Sequence, residues 1–187
     1  MSRRRSRRQA ILAAAADLVR ETGAAHVTLD AVSKRAKVSK GGLLYHFPTK
    51  ESLLQAMVSQ LVDTLAAARE KEYAKLAPGL GRMLKAHVIS MKVIRQKEAR
   101  PIAAALLAVG ANDPSLLGQA KEQLEAMIQD VESSGMPPGF TRVIVFAALG
   151  LLVSEMLGVS APTSRERQAF FEELLRLVDG EEAALCK

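Results

Sequence analysis

Cysteine occurs once in the 187 residues, tryptophan not at all, and aromatic residues make up 4% of the chain. Cys186 therefore has no partner for an internal disulfide, and a reducing, cytoplasmic setting is expected. The three histidines, His26, His46 and His87, fall in separate segments without ligand spacing, so no metal site is expected. There is no GxSxG, HExxH, P-loop or cysteine pair, and no acidic pair with supporting context, so neither an enzyme nor a cofactor is expected. The longest apolar run, Val143 to Val153, falls short of the roughly 18 to 20 residues of a membrane span. The apolar stretch behind the basic start is broken by Asp17, Arg20 and Glu21, which suits an amphipathic helix and not a signal peptide. No membrane is expected as a partner.

Acidic residues are also scarce at the front. The first fifty residues hold 11 basic side chains and only Asp17, Glu21 and Asp30 against them, a net charge of +8, whereas the whole chain carries +6. The excess positive charge is thus confined to one end, and the remaining body is slightly acidic. Hydrophobic residues at 49% and charged residues at 25% describe a folded chain. A basic module ahead of a near-neutral body points to a polyanionic partner for the first part only.

Helical periodicity runs through nearly the whole sequence and strand alternation is almost absent, so the fold expected is all-α, with about nine helices. A first helix is predicted from Ser6 to Thr22, ended by Gly23 and preceded by a disordered arm, Arg3 to Arg8. Thr28 is placed to cap a short second helix with Leu29, Val32 and Ala36 inward, and Ser39 to cap a third, Lys40 to His46, which Pro48 stops. Thr49 caps a long fourth helix reaching about Leu76. Further helices are predicted over Leu80–Lys97, Pro101–Val109, Pro114–Ser133, Thr141–Leu157 and Ser164–Val178. Domains of 1–50 and 51–187 follow.

Three short helices, the last two joined by a tight turn, form a helix-turn-helix, which lays its final helix in the DNA major groove. Gly41 and Gly42 in the first turn of that helix cost about 1 kcal/mol each in propensity, which suits a backbone that must approach something closely. Ser39, Lys40 and the free N–H groups of the helix start can meet phosphates or base edges, with Lys40 the best candidate for a guanine. Thr28 and Lys50 would hold the phosphate backbone on either side, and Tyr45 and His46 would donate from the far end. Leu43 and Phe47 read as core. Tyr45 and His46 also fit a packed corner between helices, and Thr28 a simple cap.

The run from Val27 to Leu53, with Thr28, Leu29, Val32, Ala36, Val38-Ser39, Gly41, Leu43, Tyr45-His46-Phe47, Lys50 and Leu53 in order, resembles the DNA-binding signature of the TetR family of bacterial transcriptional regulators. The resemblance covers about residues 5 to 55. It departs at two places: the family's usual tyrosine position holds Leu44, with Tyr45 one place later, and the usual glycine before the turn is Lys37. It implies a homodimer that binds a palindromic double-stranded DNA operator, most commonly as a repressor, and lets go when a small-molecule effector enters the C-terminal body. The residues expected at DNA are Thr28, Lys37, Ser39, Lys40, Gly41, Gly42, Leu44, Tyr45, His46 and Lys50, with Arg3, Arg4 and Arg5 of the arm adding phosphate contacts. An architectural DNA-binding dimer without an effector is the competing reading.

In the body, Met83, His87 and Met91 recur at helical spacing; with Arg100, Leu106, Met127 and Phe146 they are the candidate effector contacts, and their alternative is adaptable core. The 141–157 helix is apolar nearly all round. It is either central to its own subunit or, with the 164–178 helix, a face for a second copy of the chain.

Overall fold

The structure, a computed structural model, describes residues 3–23, 26–93 and 117–186. Among the described residues there are eight α-helices and no strand: α1 (Arg3–Thr22), α2 (Leu29–Arg35), α3 (Lys40–His46), α4 (Lys50–Tyr73), α5 (Arg82–Val93), α6 (Gly118–Ser133), α7 (Pro138–Leu157) and α8 (Ser164–Leu185). The predicted helix over Pro101–Val109, and the candidate residues Arg100 and Leu106, lie outside the described residues. The chain divides into two compact units, one containing residues up to Leu61 and the other containing Val62–Val93 and Lys121–Cys186.

The first unit is built on one core. Ile11, Leu12, Ala15 and Val19 of α1 recur three and four residues apart and meet Val32 of α2, Leu43 of α3, Phe47, and Leu53, Leu54 and Met57 of α4, all buried. Leu117 packs against this cluster. Local hydrogen bonds set the starts of the helices. Thr28 Oγ1 accepts from the Ala31 N–H at 3.2 Å, Ser39 Oγ from Gly42 at 3.1 Å, and Thr49 Oγ1 from Ser52 at 3.1 Å. Ser52 Oγ accepts from the Thr49 N–H in return, closing a capping box. Glu21 and Arg35 form a two-pronged ion pair that fastens the end of α1 to α2. The N-terminal arm differs from expectation: α1 begins at Arg3, so Arg3, Arg4 and Arg5 form its first turn instead of a free arm. Nothing in the sequence stops a helix there, because Arg is a good helix former.

In the second unit α5 is the central helix. Leu84, Ala86, His87, Val88, Ser90 and Met91 are buried, and both α7 and α8 pack on it. Arg82 stacks on the Tyr73 ring and donates to the Tyr73 carbonyl, which fixes the entry into α5. On α7 the inward stripe is Ile144, Val145, Ala148, Leu152 and Glu155, spaced by one or two turns. The other flank is exposed: Val143 is 65% and Phe146 48% accessible. Its mean hydropathy of 1.4 over Pro138–Glu155 makes α7 long and apolar enough to cross a membrane by length and composition alone, a longer stretch than Val143–Val153 suggested. Yet one third of that window is buried against its own unit, and the stretch ends on a buried carboxylate. α8 begins at Thr163, whose hydroxyl and backbone form a capping box with Glu166, and it runs seven residues beyond the predicted end at Val178. The extension is held from a distance: Glu182 pairs with Lys85 Nζ at 2.6 Å and accepts from the Gly81 N–H.

Candidate nucleic-acid interface and body interior

The turn between α2 and α3 is a helix-ending motif made by backbone bonds. The Val38 N–H donates to the Ser33 carbonyl at 3.0 Å and the Lys37 N–H to Lys34 at 3.2 Å, the pair of bonds that defines a Schellman end. This motif needs a left-handed residue, and Lys37 supplies it with φ of 54°. Glycine does so without strain, whereas a residue with a Cβ costs about 1 to 2 kcal/mol. A lysine tolerated there is a charge kept at a structural cost, and it sits on the rim of the turn, exposed.

α3 projects from this turn with its N-terminus free of side chains. Gly41 and Gly42 are exposed, and a Cβ on Gly41 would meet nothing within 4 Å. Gly41 is therefore not demanded by packing within the described residues, whereas a Cβ on Gly42 would come within 3.1 Å of Ser39 Oγ. Ser39 Oγ is occupied as an acceptor by its cap, which leaves its O–H as a donor. Lys40 Nζ lies 3.0 Å from Asp30 Oδ1. Leu43 and Phe47 are buried, as read from the sequence, while Leu44 and Tyr45 are exposed at 36% and 65%. Tyr45 presents its edge to His46, with ring centroids 5.3 Å apart, so the corner is packed on one side and open on the other. Thr28 is exposed at the start of α2, and Lys50 is partly buried in the first turn of α4.

Arg7, Lys37, Ser39, Gly42, Tyr45 and His46 line an open cleft of about 530 Å3, floored by Ile11 and Val38. Its cationic groups, Arg7 and Lys37, come from α1 and the turn, and α3 adds Tyr45 and His46. Arg7 is the residue that sequence reasoning did not single out: it shares a helical face with Ile11, one turn on, while Arg8 stacks over the Phe47 ring at 5.4 Å and so packs against the core. Helical phase was the signal that separated them. The side chains of Arg3, Arg4 and Arg5 lie outside the described residues.

In the second unit, Met83, His87 and Met91 do share one face of α5, with Met83 partly buried and the other two buried, and Met127 is buried in the same unit. Phe146 is not brought inward: it lies on the exposed flank of α7, and Val145 beside it points in. His87 is 2% accessible, and neither ring nitrogen has a partner at hydrogen-bond geometry among the described residues. Burial, helped by the positive charge of Arg69, pushes its imidazole down to about 4, and the nearby Val145 backbone opposes this only weakly. Arg69 is itself half-buried. Desolvation lowers its proton affinity, against the attraction of Asp130 and Glu70.

A capped α2–turn–α3 unit with an exposed, cation-lined recognition helix defines a helix-turn-helix DNA-binding protein. Residues 11–57 match the family described as bacterial regulatory proteins, tetR family, and residues 81–179, more than half of the chain, match the tetracyclin repressor-like C-terminal domain. The chain belongs to the TetR family of bacterial transcriptional regulators. It is 37% identical over 75 residues to the HTH-type transcriptional regulator RutR of Escherichia coli K12. That match takes in 38% of this chain and 35% of RutR, so the chain spans about a third of the length of the curated relative. Over nearly the full length the fold is that of Salmonella enterica GusR, with a TM-score of 0.70 at 18% identity, covering 98% of each chain. A transcriptional regulator from Rhodococcus sp. Rha1 superposes with a TM-score of 0.75 at 19% identity, covering 91% of this chain and 95% of that one. At these identities the likeness establishes the fold alone.

Proposed function

We propose that this protein is a ligand-responsive repressor which binds a palindromic operator as a homodimer in the cytoplasm and is released by a small-molecule effector. Residues 1–50 carry the operator contacts, and residues 51–187 carry effector recognition and the subunit interface. The observation that carries the reading is the cleft along α3, in which the cationic Arg7 of α1 and Lys37 of the turn are joined by Ser39, Tyr45 and His46. Lys40, Gly41 and Gly42 enter the groove, Leu44 and Tyr45 follow along it, and Thr28, Ser39, His46 and Lys50 hold phosphates on either side. Arg3, Arg4 and Arg5, in the first turn of α1, add charge for further phosphates.

The homodimer rests on α7 and α8. Val143, Phe146 and Gly150 lie along one exposed flank of α7, and Leu177 is exposed on α8. An apolar stripe with a glycine that lets backbones approach is suited to a second copy, and two-fold symmetry would set the two recognition helices one DNA turn apart. Selection of bound duplex from a random pool, followed by footprinting and mass measurement in solution, tests this. A discrete palindrome bound by a dimer is expected. Continuous protection without a preferred site would favour the architectural alternative, and a monomer at operator-binding concentrations would remove the symmetric reading.

A further inference from the structure

Resting on the reading of residues 51–187 as an effector domain, we infer that its interior takes a small organic acid, the carboxylate being held by Arg69, His87 and Thr141. Thr141 is fully buried, and its hydroxyl has no hydrogen-bond partner among the described residues; the same holds for both nitrogens of the buried His87. Buried polar atoms in a folded chain are almost always paired, so unpaired ones on adjoining helices indicate a missing ligand or bound water. They lie on helices that pack together. Thr141 stands one turn before Val145 on α7, and the Val145 backbone is the group that His87 of α5 approaches. Arg69 of α4 is near enough to act on the His87 ring through its charge, and the charges of Asp130 and Glu70 act on Arg69 in turn.

The chemistry of the three groups selects the ligand. A guanidinium, a hydroxyl and a neutral imidazole offer mainly donors and one full positive charge, which suits an acceptor bearing negative charge. A cationic ligand would be repelled by Arg69. Burial lowers the proton affinity of Arg69, and Asp130 and Glu70 also act on it through their charges. Met83 and Met91 stand one turn on either side of His87, and their flexible thioether chains can move aside for an apolar body. With no tryptophan and 2 tyrosines in the chain, an aliphatic body fits better than a flat aromatic one.

The test uses the full chain, with octanoate as the probe and octanamide as its neutral counterpart, in calorimetric titration and thermal melting. Octanoate is expected to bind and raise the melting temperature, octanamide to bind at least tenfold more weakly. Arg69→Met should lower octanoate affinity at least tenfold, and Arg69→Lys should recover part of it. Thr141→Val should weaken octanoate binding severalfold while leaving the melting temperature unchanged or higher, because the hydroxyl it removes is unpaired. That combination separates a ligand contact from a structural role even if Arg69→Met folds poorly. Equal affinity for the amide, no response to octanoate at millimolar concentration, or unaltered octanoate binding by Thr141→Val would each overturn the inference. Operator binding without ligand is measured alongside. DNA binding with no octanoate response sinks this inference alone, and octanoate binding without DNA binding sinks the regulator reading alone.

Discussion

Lys40 Nζ stands 3.0 Å from Asp30 Oδ1 across the turn between α2 and α3, with both side chains more than half exposed. An exposed pair of this kind contributes about 0 to 1 kcal/mol and is screened by salt, so DNA can take Lys40 from it at little cost. On the proposed docking, the carboxylate is then left near the phosphates that Lys40 approaches. Asp30→Asn is therefore expected to tighten binding to operator and random duplex alike, by about threefold to tenfold at low salt. Its loss from the first turn of α2 costs about 0.5 kcal/mol of stability through the helix dipole. Fluorescence anisotropy across a salt series measures this; weaker binding by the variant would mean that Asp30 positions Lys40 instead of competing for it.

Gly41 separates a folding role from a binding role. A Cβ there meets nothing within 4 Å, so Gly41→Ala should raise stability by about 1 kcal/mol through helix propensity. It should also cut operator affinity at least tenfold if the backbone of α3 lies against DNA. At Gly42 a Cβ would come within 3.1 Å of Ser39 Oγ, so Gly42→Ala should disturb the cap and gain less stability. Melting curves and operator titration of the two variants read both effects.

These contrasts show what was legible in the sequence. The starts of α2, α3 and α4 were, because Thr28, Ser39 and Thr49 bond to amides three residues on. The core face of α1 was too, since Ile11, Ala15 and Val19 repeat with the helical period. The end of α8 was not: Glu182 is held by Lys85, 97 residues away, and such pairings leave no local trace. Nor could the sequence show that the charge of Arg69 acts on His87. The apolar excess of α7 announced several buried faces, and the structure divides it into one inward stripe and one exposed flank.

The same limit applies to Glu155 and Arg167. Glu155 is 1% accessible, and Arg167 Nε lies 3.1 Å from its Oε1 while the guanidinium donates to the Met91 and Lys92 carbonyls at the end of α5. One side chain thus ties α5, α7 and α8 together. Arg167→Met leaves a carboxylate buried without a partner and should cost about 3 to 5 kcal/mol. The double variant with Glu155→Met should cost only about 1 to 2 kcal/mol, the share of the freed carbonyls. Urea unfolding of the three variants checks the cycle, and an additive result would remove the coupling.

Lys37 predicts a trade. Lys37→Gly relieves a left-handed lysine, so stability should rise by roughly 0.5 kcal/mol after the added freedom of the unfolded chain is counted. Removing one cation from the cleft should also reduce the salt slope of DNA binding by about 1. A stability gain with an unchanged salt slope would place Lys37 away from phosphate.

Acid provides the last prediction. The folded protein holds His87 neutral down to a pH of about 4, by burial first and by the charge of Arg69 second, whereas the unfolded chain protonates it near 6.5. Between those values the unfolded state binds more protons, so stability falls as pH drops from about 6.5 towards 4. The full loss is about 3 kcal/mol. Carboxylates held low by partners, such as Glu182 beside Lys85, act in a lower window, below the ordinary glutamate value of 4.5. His87→Leu should therefore flatten the stability profile between pH 6.5 and 5 and leave the steeper fall below 4.5 in place. Urea unfolding at half-unit pH steps measures it, and an unchanged slope above pH 5 in the variant would show that another group carries the acid sensitivity.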